Sequence, residues 1–435
     1  MKMRMKRGVC FFDALFVLLN ISSPYTLIPC LLFTRHTGVN SAIIFILTFI
    51  YIIIRFKNRI KFTIDSLFVI FLLISLYNLA NSAIQGTLAV GFLGIFFANC
   101  VFYLLLYNIY IDYRNELSVD EALTRTTKGY VWLCFYQLFI VAILFFVIRA
   151  HVINLRINEV TWNYDIFADN ASRVYTPTRY FLPYHISILS LDDMDRLPFL
   201  NLEGLSPLGM FHEPHTMTYY IVPFLFLMHY IFKKNWLFLL DLLFVIYILV
   251  AASTTNLLCT LAVLLLWSVL KEKKLIVVYL LLASTVIGLL QTIDSPIVEL
   301  VRFKLESGSM EYSASTLDFA FTPKTLFGTD FYDLSYLEKG LNNYDVGYFV
   351  FILNIVFILI LGYKTFRLCM SKDKLAMCVG LFSAYFMLHS AKLALRTYSL
   401  EMLIFIMFVV TICYNEKIKK HGRIPNKRPL EKSLS

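Results

Sequence analysis

Charge is scarce in this chain. Only 16% of its 435 residues are Asp, Glu, Lys or Arg, against about a quarter in soluble globular domains, so a soluble fold with a charged, solvated shell is excluded. The common nucleotide-binding signatures are missing: there is no GxGxxG and no Walker loop, nor the GxSxG and HExxH motifs of hydrolases. The eight cysteines (10, 30, 100, 134, 259, 369, 378 and 413) stand in or beside apolar segments at no metal-ligand spacing. Neither a zinc site nor a disulfide framework follows from them. The basic, then apolar, N-terminus lacks a small-residue cleavage site, so it is expected to remain as a first membrane span. No internal repeat is evident.

Apolar residues dominate instead, at 59% of the chain with a mean hydropathy of +0.70. A helix needs about 20 apolar residues to cross hydrocarbon. Twelve runs qualify as candidates: 9–33, 40–55, 64–84, 88–110, 129–149, 215–232, 236–252, 255–270, 275–293, 346–363, 375–390 and 398–414. The expected fold is therefore all-α, a polytopic integral membrane protein with about 12 transmembrane helices. Of the 39 basic residues, 27 fall in MKMRMKR, RFKNRIK (55–61), the 114–128 connection, Lys233-Lys234, KEKK (271–274), the 364–374 connection and the tail. Lys and Arg mark the cytoplasmic side. Twelve spans with both termini cytoplasmic place all of these clusters on one face, and the net charge of +10 reads as membrane topology, not as nucleic-acid binding. The organisation is then helices 1–5 in residues 1–149, a large outer loop at 150–213, helices 6–9 in 214–293, a second outer loop at 294–345, helices 10–12 in 346–414, and a basic tail at 415–435.

The outer loops differ in chemistry from the inner ones. Residues 150–213 hold four Arg, no Lys and eight acids, and residues 294–345 hold one Arg, three Lys and nine acids. Cations on a net-negative face are individually placed: they pair with the loops' own acids or with an anionic ligand, whose phosphate oxygens an Arg fork grips in a bidentate way. The candidates are Arg149, Arg156, Arg173, Arg179, Arg196, Arg302 and Arg396. At the mouth of the sixth run stands GMFHEPHTMTYY (209–220). Pro214 suits the first position of a helix, with Glu213 as its cap on the positive end of the dipole. Three readings of His212, Glu213 and His215 stay open. They start a helix, they contribute to a metal site with DDMD (192–195), or they form an acid/base group that accepts a proton from a sugar hydroxyl. Further polar residues fall at the same outer level: Ser253 to Asn256, Asn342 to Asp345, and His389, Lys392, Arg396, Tyr398 and Glu401, where a Lys392 or Arg396 pair with Glu401 is the plain alternative. Asp13 and Asp241, toward the inner ends of spans one and seven, are expected to be solvated at the interface.

Several of these features together resemble the Wzy-type O-antigen polymerases. The first outer loop ends in G-x-F-x-E-P (Gly209, Phe211, Glu213, Pro214), and a small polar outer turn follows at Ser253-Thr254-Thr255-Asn256, here without the arginine the family often carries. Leu326-Phe327-Gly328 and then Asn343-Tyr344-Asp345-x-Gly347-Tyr348 fit the second loop and its exit. The resemblance implies a membrane-embedded C-type glycosyltransferase of the bacterial inner membrane, with its site facing the periplasm and both large loops periplasmic. It implies undecaprenyl-diphosphate-linked glycans as substrates, no cofactor and no metal, and a chain-length regulator and a flippase of the same pathway as partners. Glu213, with His212 and His215 as competitors, is then the catalytic group. Arg173, Arg179, Arg196, Arg302, Lys392 and Arg396 hold the diphosphate and glycan, and Tyr344 and Asp345 line the sugar site. An O-antigen ligase acting on lipid A–core and a lipid-linked oligosaccharide flippase are the alternatives.

Overall fold

In the twelve apolar runs the backbone has no cheap partner in hydrocarbon except itself, which makes helix the expected state. The computed structural model describes residues 7–22, 28, 32–33, 37–85, 90–149, 159–161, 179–181, 186–188, 205–206, 211, 214–232, 234–250, 254–292, 326, 343–390 and 400–419. Every run contains a helix. In chain order they are α1 (Arg7–Ser22), α2 (Thr37–Phe56), α3 (Ser66–Gln85) and α4 (Val90–Arg114). Next come α5 (Val119–Thr126), α6 (Lys128–Phe135), a π-helical turn (Tyr136–Val141) and α7 (Ala142–Arg149). α8 (Pro214–Ile231), α9 (Lys234–Val250), α10 (Thr254–Leu270) and α11 (Ile276–Thr292) form the middle group. α12 (Asn343–Cys369), α13 (Lys374–Ser390) and α14 (Leu400–Cys413) close the bundle.

Among the described residues three helical stretches are long and apolar enough to cross a membrane: Val39–Phe56, Phe96–Arg114 and Gly347–Cys369. A fourth qualifies if Val119–Thr126 and Lys128–Leu144, bent by 55° at their junction, count as one. Six further apolar helices run to 10–17 residues. The bend falls at Thr127, whose φ of −84° and ψ of 2° leave helical geometry and whose hydroxyl donates to the Leu123 carbonyl at 3.0 Å; a Ser118–Glu121 capping box opens α5.

Burial divides the helices into inner and outer sets. α14 is buried at every residue from Met402 to Cys413, and α8 from Thr216 to Phe226. A helix that is apolar all round belongs inside a bundle or in lipid. α2 instead exposes Ile46, Phe49, Ile50, Ile53 and Ile54 on one side, and α12 exposes Ile352, Ile355 and Leu359. Those stripes match a surface solvated by acyl chains.

The first long connection carries a small antiparallel sheet. Its strands β1 (Glu159–Thr161), β2 (Arg179–Phe181), β3 (Ile186–Ile188) and β4 (Leu205–Ser206) pair in sequence order. Arg179 stands opposite both Thr161 and Ile188.

Two glycines set helix spacing. A Cβ on Gly129 of α6 would lie 2.2 Å from the Ala14 carbonyl oxygen and 2.6 Å from the Leu18 nitrogen, both backbone atoms of α1. Gly129→Ala is therefore expected to cost about 3 kcal/mol, at the upper end for overpacking, because neither backbone can yield. Survival of folded protein after heating in detergent, measured by size exclusion, checks this. Gly347 is the only described glycine at positive φ (75°), and it separates the first turn of α12 from the straight span that follows.

The ionic groups form a belt at one end of the bundle. Tyr51 and Tyr113 donate to the Asp13 carboxylate at 2.6 and 2.7 Å, and Arg55 bridges Asp13 and Asp112. Arg114 pairs with Glu416 at 3.8 Å, and Lys417 sits 2.5 Å from Asp120 and 3.0 Å from Asp373. Lys364 lies 2.7 Å from Asp65, whose carboxylate also accepts from Thr411. The expected interfacial solvation of Asp13 and Asp241 is corrected: they are 1% and 0% exposed. Partners from other helices replace water around both. Asp241 lies 2.6 Å from His229 Nε2 and accepts from the Tyr279 hydroxyl, in a pocket closed by the Trp267 ring 4.9 Å from the imidazole.

The belt predicts a pH response. Burial pushes the Asp373 carboxyl up, but the Ala376 amide and the Lys417 ammonium outweigh it and hold the group below its ordinary 3.8. Burial pushes Lys417 down, but Asp120 and Asp373 outweigh it and hold the ammonium above its ordinary 10.5. The pair's contribution is therefore full between those values. It is lost as pH falls through the depressed value of Asp373 or rises through the raised value of Lys417. The stability difference between wild type and Asp373→Asn, followed by thermal unfolding in detergent, should be present at neutral pH and vanish in strong acid.

Candidate functional site

α8 begins at Pro214, as the ring's fixed φ and missing N–H favour. Just ahead of it Phe211 is fully buried, with its ring 5.4 Å from that of Tyr220. The phenylalanine of the G-x-F-x-E-P element is thus an anchor that holds the end of the long connection on the bundle. His212 and Glu213 lie outside the described residues, between these two points in sequence.

The first turns of α8 meet the first turn of α10 and the last turns of α13. Asn256 is fully buried and uses both ends of its amide: Nδ2 donates to Thr218 Oγ1 at 2.5 Å, and Oδ1 accepts from the Tyr385 hydroxyl. Thr260 Oγ1 donates to the Asn256 carbonyl at 2.6 Å. One helical turn beyond Tyr385, the His389 ring lies 4.6 Å from that of Tyr219 and 6.1 Å from that of Tyr385. The imidazole is 2% exposed. Behind this shelf Tyr130 donates to the Tyr220 carbonyl at 2.7 Å, and Pro223 interrupts the hydrogen-bond ladder of α8 one turn further on. The π-helical turn adds Gln137, whose amide nitrogen donates to Tyr247 at 3.0 Å and faces Met217 Sδ at 3.1 Å. Such turns insert one residue into a helix and recur at functional sites.

The shelf is at the end of the bundle away from the ionic belt. On α8, Thr218 belongs to the shelf, while Tyr230 donates to Asp120 in the belt. Twelve residues of helix separate them by about 18 Å. Chemically the shelf offers neutral hydroxyl and amide groups in fixed orientations together with one imidazole. Among the described residues its hydrogen bonds join neutral groups, which suits hydroxyl-rich ligands.

Sequence reasoning placed Asn256 and His389 at this level, and the fold joins them through Tyr385. Thr218, Tyr219, Tyr385 and Gln137 were missed. The available signal was the Tyr385–His389 spacing of four, which puts two polar groups on one face of an apolar helix. Of the other candidates, His215 falls in the first turn of α8, Arg179 in β2, and Tyr344 and Asp345 in the first turn of α12 ahead of Gly347. Arg156, Arg173, Arg196, Arg302, Lys392, Arg396 and the DDMD stretch lie outside the described residues, as does any pairing of Glu401 with Lys392 or Arg396. No protein-family model, no curated protein and no solved structure matches this chain.

Proposed function

We propose that the chain is a polysaccharide polymerase of the Wzy type, joining polyprenyl-diphosphate-linked repeat units at the outer boundary of the bacterial inner membrane. The observation that carries the reading is the polarity of the bundle. The ionic belt, fed by the basic connections, occupies one end, and the hydroxyl- and amide-lined shelf beside Phe211 occupies the other. With cations marking the cytoplasmic side, the shelf faces the periplasm, with the twelve apolar runs as spans and both termini inside.

A lipid-linked glycan fits such a site. Its polyprenyl tail stays among the apolar helix stripes while its sugars project outward over neutral hydrogen-bonding groups. In the proposed reaction the acceptor's hydroxyl oxygen forms a bond to the anomeric carbon of the donor's first sugar. The bond from that carbon to the diphosphate oxygen breaks, and undecaprenyl diphosphate leaves with the bonding electron pair. Glu213, or one of its flanking imidazoles, takes the hydroxyl proton. Arg173, Arg179, Arg196, Arg302, Lys392 and Arg396 supply positive charge where the leaving diphosphate becomes more negative. The donor is already activated, so no nucleotide is consumed.

A deletion strain tests the reading in cells. Loss of the protein should leave lipopolysaccharide carrying a single repeat while removing the long-chain ladder. Loss of even the single-repeat form would instead make the protein a ligase acting on lipid A–core.

A further inference from the structure

We propose that the connection between α2 and α3, residues 57–64, is a preformed binding site for the headgroup of an anionic phospholipid. The inference rests on the membrane reading of the fold and is independent of the glycosyl-transfer reading.

The segment's backbone is fixed along its length. It leaves α2 through Lys57 at φ 45°, next to Arg55, which is held by Asp13 and Asp112. In its middle the buried side chain of Asn108 on α4 takes both backbone groups of Lys61: the Lys61 N–H donates to Oδ1 at 2.8 Å, and Nδ2 donates to the Lys61 carbonyl at 2.9 Å. Thr63 shares a hydrogen bond of 2.7 Å with Tyr107. At its end Asp65 caps α3 through the Leu67 N–H and is itself held by Lys364 and Thr411.

On this fixed backbone the side chains are turned outward. Lys57, Arg59 and Lys61 are exposed, and none has an acidic partner among the described residues. Ile60, Phe62 and Ile64 are 41%, 54% and 53% exposed, and they alternate with Lys61 and Thr63. Three exposed apolar groups on a rigid strap would be a liability in water. Cations beside apolar groups at the edge of a bundle match an interface where acyl chains cover one set and a negative headgroup neutralises the other. Arg55, Arg114, Lys364 and Lys417 of the belt are spent on internal pairs, whereas the cations of the strap face outward. The charge sign selects an anionic lipid, and the adjoining exposed stripe of α2 offers its tails a surface.

The connection at Lys271–Lys274 is the built-in control. It exposes Lys271, Lys273 and Lys274, but its exposed apolar neighbours, Val269, Val277 and Val278, belong to the flanking helices α10 and α11 and none stands on the connection itself. If lipid binding followed charge alone, the two connections would behave alike.

The test is native mass spectrometry of the purified full chain in detergent, titrated with phosphatidylglycerol and separately with phosphatidylcholine. No glycan substrate is present, so failure here is distinct from failure of the polymerase reading. Wild type should retain phosphatidylglycerol in preference to phosphatidylcholine. The triple variant Lys57→Gln, Arg59→Gln, Lys61→Gln should need at least about tenfold more phosphatidylglycerol for the same occupancy. The triple variant Lys271→Gln, Lys273→Gln, Lys274→Gln should match wild type. Phe62→Ser, which keeps every charge, should weaken retention in the same direction as the first variant. Equal losses in the two triple variants would overturn the proposal in favour of diffuse attraction. So would equal retention of the two lipids by wild type, or an unchanged Phe62→Ser protein. Binding of soluble poly-glutamate to the strap with no lipid preference would also overturn it, pointing to an acidic protein partner.

Discussion

Glu213→Gln should abolish the long-chain ladder while the protein remains folded in the membrane, with chain extension falling about 10²–10⁴-fold, the range for loss of a general base. The substitution keeps the side chain's size and one amide oxygen and removes only the carboxylate proposed to accept the proton. Phe211 and Pro214 bracket the position and are untouched. Arg302→Ala should have a comparable but smaller effect, about 10²–10³-fold, through weaker stabilisation of the departing diphosphate. Gel ladders from membranes with matched protein levels read both. If Glu213→Gln extends chains normally while His212→Ala or His215→Ala does not, the proton goes to that imidazole and the assignment moves to it. Normal ladders from Glu213→Gln and Arg302→Ala would remove both groups from the mechanism.

The largest stability effect should come from Asp241→Leu. Asp241 and His229 are both fully buried, and Tyr279 donates to the same carboxylate. Removing the acid strands an imidazole and a phenol in an apolar pocket. Loss of one member of such a pair costs about 3–5 kcal/mol. The double substitution His229→Leu, Asp241→Leu removes the need for a partner and should recover a substantial part of that cost. Thermal unfolding of detergent-purified variants measures both. A single variant as stable as wild type would mean that the network contributes little to holding α8, α9 and α11 together.

The helices were legible because runs of about 20 apolar residues leave the backbone one inexpensive conformation. The start of α8 was legible from Pro214 alone, and the break in α12 corresponds to Gly347, a position the resemblance had already singled out. What the sequence could not convey was partnership across helices. Asp13 reads as an interfacial acid because its partners Tyr51, Tyr113 and Arg55 belong to two other helices. Asp241 reads the same way because His229 and Tyr279 come from α8 and α11. The shelf shows the same limit from the other side. Asn256 and His389 were visible as polar residues near helix ends, but Tyr385, which joins them, is embedded in an apolar run and reads as packing. The sheet at β1 to β4 escaped notice because strands of two or three residues carry too little alternation to register.

The central claim is that this one chain lengthens a lipid-linked glycan at its outer end. The direct measurement supplies purified protein in liposomes with lipid-linked repeat units as the only substrate, no nucleotide sugar and no added metal, and resolves the products by length. Products should grow in steps of one repeat, with one undecaprenyl diphosphate released for each repeat joined. Repeat units that remain single, with no diphosphate lipid released, would contradict it.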